Sequence, residues 1–328
     1  MAKRRSDTPE ELVRKVVTGD RRAVARSITL VENQTEEGTE LMKRLYPHVG
    51  KPMVVGITGS GGSGKSSLID HLIRKFRKNG QKVAVVAVDP SSPFSGGALL
   101  GDRIRFQNHA LDEGVYIRSM GSRGYLGGLS RTTSDVVRIM EAMGNDVVIV
   151  ETLGAGQDEV DIINVAQTCL LVLTPGMGDD IQAMKAGIME IADLIVLNKA
   201  DLEGATAILR TLEATLAFGF KGGEGDWRPR VLPTVASAAK ADGIQGVDEL
   251  VDAIEAHHAF LHDTQAIQQV QANRVEQELG LIFKDQLEKY IFKGLKGTGK
   301  KRDYIRAILD GKTDPYSVVE EVLGEFLK

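Results

Sequence analysis

The sequence predicts an α/β protein with a mostly parallel central sheet flanked by helices, an N-terminal helical arm and a C-terminal helical extension. Continuous apolar runs alternate with helical segments between residues 53 and 235, and such runs are typical of strands buried on both faces of a parallel sheet. The flanking segments show only helical patterns. We therefore expect an arm over residues 1–50, a sheet-containing domain over 51–262 and a helical region over 263–328.

The composition is that of a globular protein with a balanced charge. The 328 residues are 42% hydrophobic and 26% charged, and 41 basic against 45 acidic side chains give a net charge of −4. This balance supplies no broad positive field, so we expect no nucleic-acid partner. No run is long and apolar enough for a signal peptide or a membrane span, which predicts a cytoplasmic protein without a membrane partner. The single cysteine, Cys169, lies in an apolar run and is expected to be a buried thiol.

The arm begins with a helix-start signal. Thr8 is a suitable N-cap, Pro9 follows at the first helical position, and Glu11 completes a capping box. Leu12, Val13, Val16 and Val17 would form the apolar face of this first helix. Two further helices are expected over about Arg21–Val31 and Glu36–Tyr46.

The sheet-containing domain begins with a strand, helix and strand unit. It comprises Met53–Thr58, the helical stretch Ser66–Asn79 and the apolar run Lys82–Asp89. Further strands are predicted at Val147–Val150, Cys169–Leu173, Leu194–Leu197 and Val231–Val235. The last helix of the domain should run from about Val247 to His262, with the adjacent His257 and His258 on a partly solvated surface.

The extension is predicted to be helical from about Ala266. Lys293–Arg302 interrupts the pattern and is interpreted as a solvated glycine-rich loop, with contact to an anionic partner as the alternative. Apolar residues recur at helical spacing before this interruption: Leu279, Ile282, Phe283, Leu287, Ile291 and Phe292. Because no strand pairs with this region, we expect these residues to hold a homodimer together. Packing of the extension against its own domain is the alternative.

A phosphate-binding sequence follows the first predicted strand. It reads Gly59-Ser60-Gly61-Gly62-Ser63-Gly64-Lys65-Ser66, and Ser67 continues the expected nucleotide contact. The glycines let backbone N–H groups surround a phosphate, and the following helix directs its positive end at the anion. Lys65 should reach the β- and γ-phosphates and Ser66 should coordinate Mg²⁺. A flexible linker would not require Lys-Ser between a strand and a helix, so the pattern predicts a P-loop nucleoside triphosphatase.

A second short pattern indicates which base is bound. The stretch Asn198-Lys199-Ala200-Asp201 follows a predicted strand. The Asp201 carboxylate can accept two hydrogen bonds from guanine, whereas adenine has no equivalent pair of donors. The stem of Lys199 can lie along the base and Asn198 can brace neighbouring loops. Alone, such a tetrapeptide often caps a helix. A third stretch, Ser237, Ala238 and Ala239, resembles the loop that contacts the guanine oxygen. Together these residues predict GTP and GDP as ligands.

Acidic residues at predicted strand ends are candidates for the metal and the γ-phosphate. Glu151 ends an apolar run and precedes Gly154 by three residues, which suits a carboxylate that holds Mg²⁺ and a backbone N–H that contacts the γ-phosphate. Asp89 and Asp102 are further candidates to bind the metal or to position the attacking water. A strand-ending acid, a helix cap or a surface acid is the structural alternative for each of them.

Longer stretches of the chain resemble a known family, the MeaB/ArgK GTPases that include the human protein of methylmalonic aciduria type A. The resemblance covers about residues 40–260 and is carried by Val88–Pro93, Ser95–Arg103, Ser122–Gly128 and Glu151–Glu159. It implies a homodimeric GTPase that associates with an adenosylcobalamin-dependent acyl-CoA mutase, gates cofactor loading and protects the mutase. Cobalamin would then be met only through the partner mutase.

The resemblance also implies roles for individual residues. The P-loop, Asp89, Asp102, Glu151 and Asn198–Asp201 match the family pattern, so Lys65, Asp102 and Glu151 are the expected catalytic residues, with Gln157 and Arg103 as further candidates.

The sequence departs from the usual family pattern in places, and the stretch Gly96–Arg105 leaves the identity of the partner mutase open. The P-loop reads Gly61-Gly62-Ser63 where relatives often have prolines and alanine, and Gly96–Arg105 looks closer to GTPase domains fused to isobutyryl-CoA-type mutases. The glycine-rich segment Pro90–Gly128 is expected to couple nucleotide state to the partner.

Two other function classes compete with a mutase chaperone. An ArgK-type kinase linked to amino-acid transport is disfavoured, because no phospho-acceptor site is evident and the guanine pattern opposes ATP use. A metal-insertion GTPase is disfavoured because one cysteine and six histidines, of which only His257 and His258 are adjacent, offer few ligands.

Overall fold

Seven strands form one parallel sheet in the computed structural model. The structure describes residues 7–89, 106–121, 131–152, 161–176, 188–219, 222–223, 225–236, 244–298 and 300–326. The strands are β1 (Met53–Thr58), β2 (Val83–Asp89), β3 (Val115–Gly121), β4 (Val147–Thr152), β5 (Thr168–Leu173), β6 (Leu194–Asn198) and β7 (Arg230–Thr234). They lie in the order β3-β2-β4-β1-β5-β6-β7, and every pairing between them is parallel. The predicted fold class is confirmed.

Helices precede, separate and follow these strands along the chain. The helices in the described ranges are α1 (Pro9–Val17), α2 (Arg21–Glu32), α3 (Glu36–Leu45), α4 (Lys65–Lys78), α5 (Arg131–Ala142), α6 (Ala205–Gly219), α7 (Val247–Asp263), α8 (Ala266–Thr298), α9 (Lys300–Leu309) and α10 (Pro315–Phe326). Short 3₁₀ turns occur at Tyr46–His48, Gln107–His109, Asp161–Asn164 and Ile188–Ile191. None of the helices in these ranges is long and apolar enough to cross a bilayer.

Both faces of the sheet are covered. Neighbouring residues of β1 alternate between them: Val54 packs in a core with the N-terminal arm and α5, whereas Val55 packs in a core with α4 and α7. Both side chains are fully buried. This burial explains why the strands read as continuous apolar runs rather than as alternating patterns.

The sequence predicted six of the seven strands and missed β3. Arg118 and Ser119 interrupt its apolar pattern, and the strand lies at the edge of the sheet, where its middle residues are only partly buried. An edge strand needs fewer apolar side chains than a central strand, so its sequence signal is weaker. Part of the predicted switch segment Pro90–Gly128 is therefore a regular strand.

The N-terminal arm packs against the β3 side of the sheet. The predicted capping box is present, since the Thr8 N–H donates to the Glu11 carboxylate (2.8 Å) and the Glu11 N–H donates to Thr8 Oγ1 (3.3 Å). Arg21 of α2 donates to the Val115 carbonyl at 2.8 Å. Glu32 at the end of α2 pairs with Arg118 of β3. The expected apolar face of α1 is correct except at Val17, which is 40% exposed.

A buried polar network joins α7 to β5 and β6. His257 is only 2% exposed, so the expectation that this side chain lies on a solvated surface was wrong. Its Nδ1 lies 2.9 Å from the Thr168 hydroxyl oxygen, and its Nε2 lies 3.4 Å from the Asp193 carboxylate. The Cys169 N–H donates to the other Asp193 oxygen at 2.8 Å. Cys169 itself is buried as predicted, and burial raises the pKa of its thiol.

This network shifts two pKa values in opposite directions. Burial raises the pKa of Asp193 from 3.8 to about 7, against the opposing effect of the Cys169 N–H. Burial lowers the pKa of His257 from 6.5 to about 4, and the neighbouring His258 adds to the shift. The Asp193 contribution to stability is therefore present below pH 3.8 and lost as the pH rises to about 7, while the His257 contribution is present above pH 6.5 and lost as the pH falls to about 4.

We expect single substitutions to expose these opposing contributions. In Asp193→Asn the histidine contribution is left, so the stability of this variant should fall as the pH is lowered from 6.5 to 4. In His257→Gln the carboxyl contribution is left, so stability should fall as the pH is raised from about 4 to 7. Urea unfolding at several pH values, followed by the fluorescence of the single tryptophan, measures both. Identical pH profiles for the two variants would contradict this assignment.

The chain divides into two compact units, one ending at Arg274 and one beginning at Val275. In the second unit the backbone of Lys293–Thr298 continues helix α8, so the predicted loop was wrong over these residues. Helix propensity of the surrounding lysines and leucines outweighs the cost of two glycines there. Asp314 caps α10 by accepting from the N–H groups of Tyr316 (2.8 Å) and Ser317 (3.1 Å). The finer division into arm, domain and dimerisation region stays a prediction.

Candidate active site

The predicted phosphate loop connects β1 to α4 at the carboxyl edge of the sheet. Gly59 and Gly64 have φ values of +140° and +89°, a region that favours glycine. Space is also restricted there, because a Cβ on Gly59 would lie 2.2 Å from the Val172 carbonyl oxygen and a Cβ on Gly64 would lie 2.3 Å from Asn198 Nδ2. The turn therefore requires glycine at both positions, and it delivers the chain directly into the N-terminus of α4.

Lys65 is the first residue of α4 and is only 4% exposed. Its ammonium donates to the carbonyl oxygens of Gly59 (2.5 Å) and Ser60 (2.9 Å). These contacts hold the charge inside the loop, beside the backbone N–H groups that would surround a phosphate. A buried ammonium at this place is suited to stabilising negative charge on a phosphoryl group, because the surrounding low dielectric strengthens the attraction.

Ser66, the residue after Lys65 in α4, contacts Glu151. The Ser66 hydroxyl donates to Glu151 Oε1 at 3.0 Å, although the residues are 85 apart in sequence. Glu151 lies near the end of β4 and is 1% exposed. Beside it, the buried Thr152 hydroxyl donates to Thr58 Oγ1 at 3.0 Å and joins the ends of β4 and β1. A hydroxyl and a buried carboxylate in contact form a set of hard oxygen donors of the kind that Mg²⁺ prefers.

Asn198 lies between the phosphate loop and the neighbouring strand end. Its side chain is fully buried and its Nδ2 donates to the Ser63 carbonyl at 2.8 Å. Its Oδ1 accepts from the Thr234 hydroxyl (3.2 Å) and the Ala236 N–H (3.1 Å). One side chain therefore ties β6, β7 and the phosphate loop together, as expected for a brace.

The other two residues of the guanine pattern lie at the surface beside Asn198. Lys199 has a φ of +56°, and its ammonium donates to the Gly62 carbonyl at 2.9 Å. Because the ammonium is anchored on the phosphate loop, the stem of Lys199 spans the gap between the two motifs. Asp201 is exposed, which leaves its carboxylate accessible to a base.

Several predicted residues lie outside the described part of the chain. These are Asp102, Arg103, Gly154, Gln157, Ser237, Ala238 and Ala239. Asp89 is described only as the last backbone position of β2. The structure thus brings together the phosphate loop, Glu151 and Asn198–Asp201, and the functional roles assigned to all these residues stay predictions.

Sequence reasoning missed the threonines that support the site. Thr58, Thr152 and Thr234 are buried at the carboxyl ends of three strands, and each makes a hydroxyl hydrogen bond at the site. Their positions in the sequence could have indicated this role. Polar residues that end the apolar strands of a parallel sheet lie together at the carboxyl edge of the sheet. The Ser63 hydroxyl is buried and has no hydrogen-bond partner among the described residues, so the loop retains an unused polar group.

The chain is similar to known proteins over most of its length. The family model described as methylmalonyl Co-A mutase-associated GTPase MeaB matches residues 24–296. A protein of Pyrococcus abyssi named as a GTPase is 46% identical over 97% of both chains. The mitochondrial methylmalonic aciduria type A homolog of Mus musculus is 31% identical over 95% of this chain and 78% of its own.

A solved structure supports the fold over the full length. The crystal structure titled LAO/AO transport system kinase covers 100% of both chains with a TM-score of 0.71 and 26% identity. The family model spans most of the chain, and the phosphate loop and the Asn198–Asp201 stretch of this chain lie at one edge of the sheet. This GTP-binding P-loop GTPase therefore belongs to the MeaB family.

Proposed function

We propose that this GTPase is a nucleotide-dependent chaperone of an adenosylcobalamin-dependent acyl-CoA mutase, gating cofactor loading and protecting the mutase. The observation that carries the proposal is the family match, whose description names association with methylmalonyl-CoA mutase. The relative named for methylmalonic aciduria supports the same class of partner. Cobalamin would be handled only through the mutase.

The site residues fit GTP hydrolysis with Mg²⁺ as the metal. Ser66 and Glu151 would hold the ion, because they offer a hydroxyl and a buried carboxylate 3.0 Å apart. When bound, the ion neutralises charge on β- and γ-phosphate oxygens. Lys65 would add a fixed positive charge inside the loop, and the backbone N–H groups of Gly59–Gly64 would orient the phosphates.

The base preference gives a prediction for Asp201. In Asp201→Asn we expect GDP affinity to fall about ten-fold or more. The substitution replaces one carboxylate oxygen, which accepts from guanine, by an amide NH₂ group, which can only donate. A charged hydrogen bond of this kind is worth about 1.5–3 kcal/mol. Xanthosine diphosphate, which carries an oxygen in place of the guanine amino group, should bind the variant better than GDP. Calorimetry with both nucleotides, and with ADP, in Mg²⁺ measures this. Unchanged GDP affinity, or equal affinity of the parent for ADP and GDP, would refute the role.

A homodimer through the C-terminal helices is part of the proposal. In α8 the side chains of Leu279, Phe283, Leu287 and Tyr290 recur every three or four residues and are each at least half exposed, Phe283 by 72%. A helical stripe of this kind is unfavourable in water without a partner surface. Among the residues predicted from sequence, Ile282 and Ile291 are partly buried, and the Phe292 side chain lies outside the described set.

We expect Phe283→Glu to convert the dimer into a monomer at micromolar concentration, because it places a charge in the centre of the stripe. Light scattering measures the mass of the full chain, of this variant and of a truncation near residue 265. Leu111→Glu is the matched control, since Leu111 is 96% exposed and lies outside the extension. A monomeric parent, or a dimer that persists in Phe283→Glu, would favour the alternative that the extension packs against its own chain.

A phosphotransfer role is the second candidate, because the structurally similar protein is titled a transport system kinase. Incubation with γ-labelled GTP and with γ-labelled ATP distinguishes the two roles. Hydrolysis releases inorganic phosphate from GTP, whereas a kinase would transfer the label to a protein. For a metal-insertion role there is less support, because the described residues contain no group of three or more His, Cys, Asp or Glu side chains that could hold a metal ion.

The chaperone proposal is tested with purified components. Candidate cobalamin mutases from the source organism are mixed with the GTPase, and complex formation, GTP turnover and cofactor transfer are measured with GDP and with a non-hydrolysable GTP analogue. We expect a complex, faster turnover and transfer that depends on the nucleotide. If no mutase binds, or if none of these quantities responds to partner and nucleotide, the chaperone proposal fails and the GTPase assignment stands.

A further inference from the structure

Two histidines of α7 form a pair that the nucleotide site does not use. His258 and His262 are four residues apart, so they lie one above the other on the same side of the helix. Their ring centroids are 4.6 Å apart and the ring planes are inclined by 54°. This spacing is the one by which a helix presents two imidazoles to a single metal ion.

The His258 ring has an unused buried nitrogen. Its Nε2 is buried and makes no hydrogen bond to any residue in the described ranges. The adjacent His257 differs, because both of its ring nitrogens face partners, Thr168 and Asp193. A buried polar atom without a partner lowers stability, and a bound ligand at this nitrogen would remove that cost.

We propose that His258 and His262 form a binding site for a divalent transition-metal ion such as Zn²⁺ or Ni²⁺. Metal–nitrogen bonds are about 2.0–2.1 Å long, and ring centroids 4.6 Å apart are close enough for both imidazoles to reach one ion. Imidazole pairs select such ions over Mg²⁺, which prefers oxygen ligands.

The site is exposed on its His262 side, whereas the His258 Nε2 is buried. Among the residues in the described ranges, no third His, Cys, Asp or Glu side chain completes a cluster, and His262 is exposed. Water would therefore fill the other coordination positions, as in sites where metal exchanges with solvent. This predicts reversible binding that a chelator removes, rather than a metal required for folding.

The position of the pair suggests what binding would change. His262 lies in the last turn of α7, and its carbonyl accepts from the Gln265 N–H at 3.2 Å. Gln265 has a φ of +60°, and α8 begins at the next residue. An ion shared by His258 and His262 would cross-link the last two turns of α7 just before this joint. Local opening of the helix end should then be slower with metal than without.

The test uses the full-length chain without an affinity tag, saturated with GDP and Mg²⁺ so that the nucleotide site is occupied. Calorimetric titration with zinc chloride and with nickel chloride measures binding, and hydrogen exchange measures protection of the amides at residues 258–266. We expect one ion per chain, slower exchange in that segment, and at least about ten-fold weaker binding in His262→Ala, because one of two protein ligands is lost. His258→Gln should show the same loss.

His48→Ala is the matched control, because His48 is also exposed but has no neighbouring histidine ring among the described contacts. It should bind zinc as the parent does. Since His262 is at the surface, its substitution leaves the fold intact, so a misfolded variant does not obscure the result. The proposal is overturned if the parent binds neither ion, if His262→Ala binds with unchanged affinity, or if His48→Ala loses binding equally. It is independent of the proposed mutase function.

Discussion

Lys65→Ala should reduce the GTP turnover number by roughly 10²–10³-fold, the usual effect of removing one group that stabilises charge in a transition state. The ammonium lies within the phosphate loop, 2.5 Å from the Gly59 carbonyl oxygen and 2.9 Å from that of Ser60. A phosphoryl group in this loop would be a stronger partner for it than these carbonyls, because both groups are charged. Multiple-turnover assays of phosphate release measure the effect.

The burial of Lys65 requires a second variant. At 4% exposure its stem fills space in the loop, so alanine removes both charge and volume. Lys65→Met keeps most of the stem without the charge, and we expect the same loss of turnover with a smaller change in melting temperature. Lys78→Ala is the control, because Lys78 is an exposed lysine at the other end of α4. Normal turnover by Lys65→Met would show that the charge has no catalytic role.

The fold could be predicted from the sequence wherever a segment is buried on both faces or begins with a local signal. Strand β1 is buried along its whole length and was predicted to the residue. The capping box at Thr8 and Glu11 needed only a four-residue pattern. Edge strand β3 was missed because half-buried positions tolerate polar side chains such as Arg118. The helix over Lys293–Thr298 was missed because its two glycines were interpreted as a loop signal. The helical pattern of the preceding residues, which continues through this stretch, was given less weight.

The site was predictable to the extent that its parts are contiguous in sequence. The phosphate loop and Asn198–Asp201 are short patterns, each with its own chemical reason. Contacts between distant residues were not visible in this way. Ser63 and Asn198 are 135 residues apart, and only the strand order, which places β1 next to β5 and β5 next to β6, brings their segments together. The burial of His257 is a similar case, since its partners lie 64 and 89 residues away.

Gly64→Ala should abolish measurable GDP binding and destabilise the protein. The φ of +89° at Gly64 costs an L-residue roughly 1–2 kcal/mol. The new methyl would also lie 2.3 Å from Asn198 Nδ2, and overpacking of this kind typically costs about 1–3 kcal/mol. Displacing Asn198 would break its bonds to Ser63, Thr234 and Ala236 at once. Thermal unfolding without nucleotide and calorimetry with GDP measure the two effects.

A second glycine of the same loop and a double variant separate the causes. Gly61 has open space where a Cβ would be placed, so Gly61→Ala should leave the melting temperature of the nucleotide-free protein unchanged. If the contact with Asn198 contributes to the damage, Gly64→Ala should cost less stability in an Asn198→Ala background, where the clashing amide is gone. The backbone strain would persist in both backgrounds. Equal destabilisation with and without Asn198 would assign the whole effect to strain, and a stable, GDP-binding Gly64→Ala would contradict the geometry of the loop.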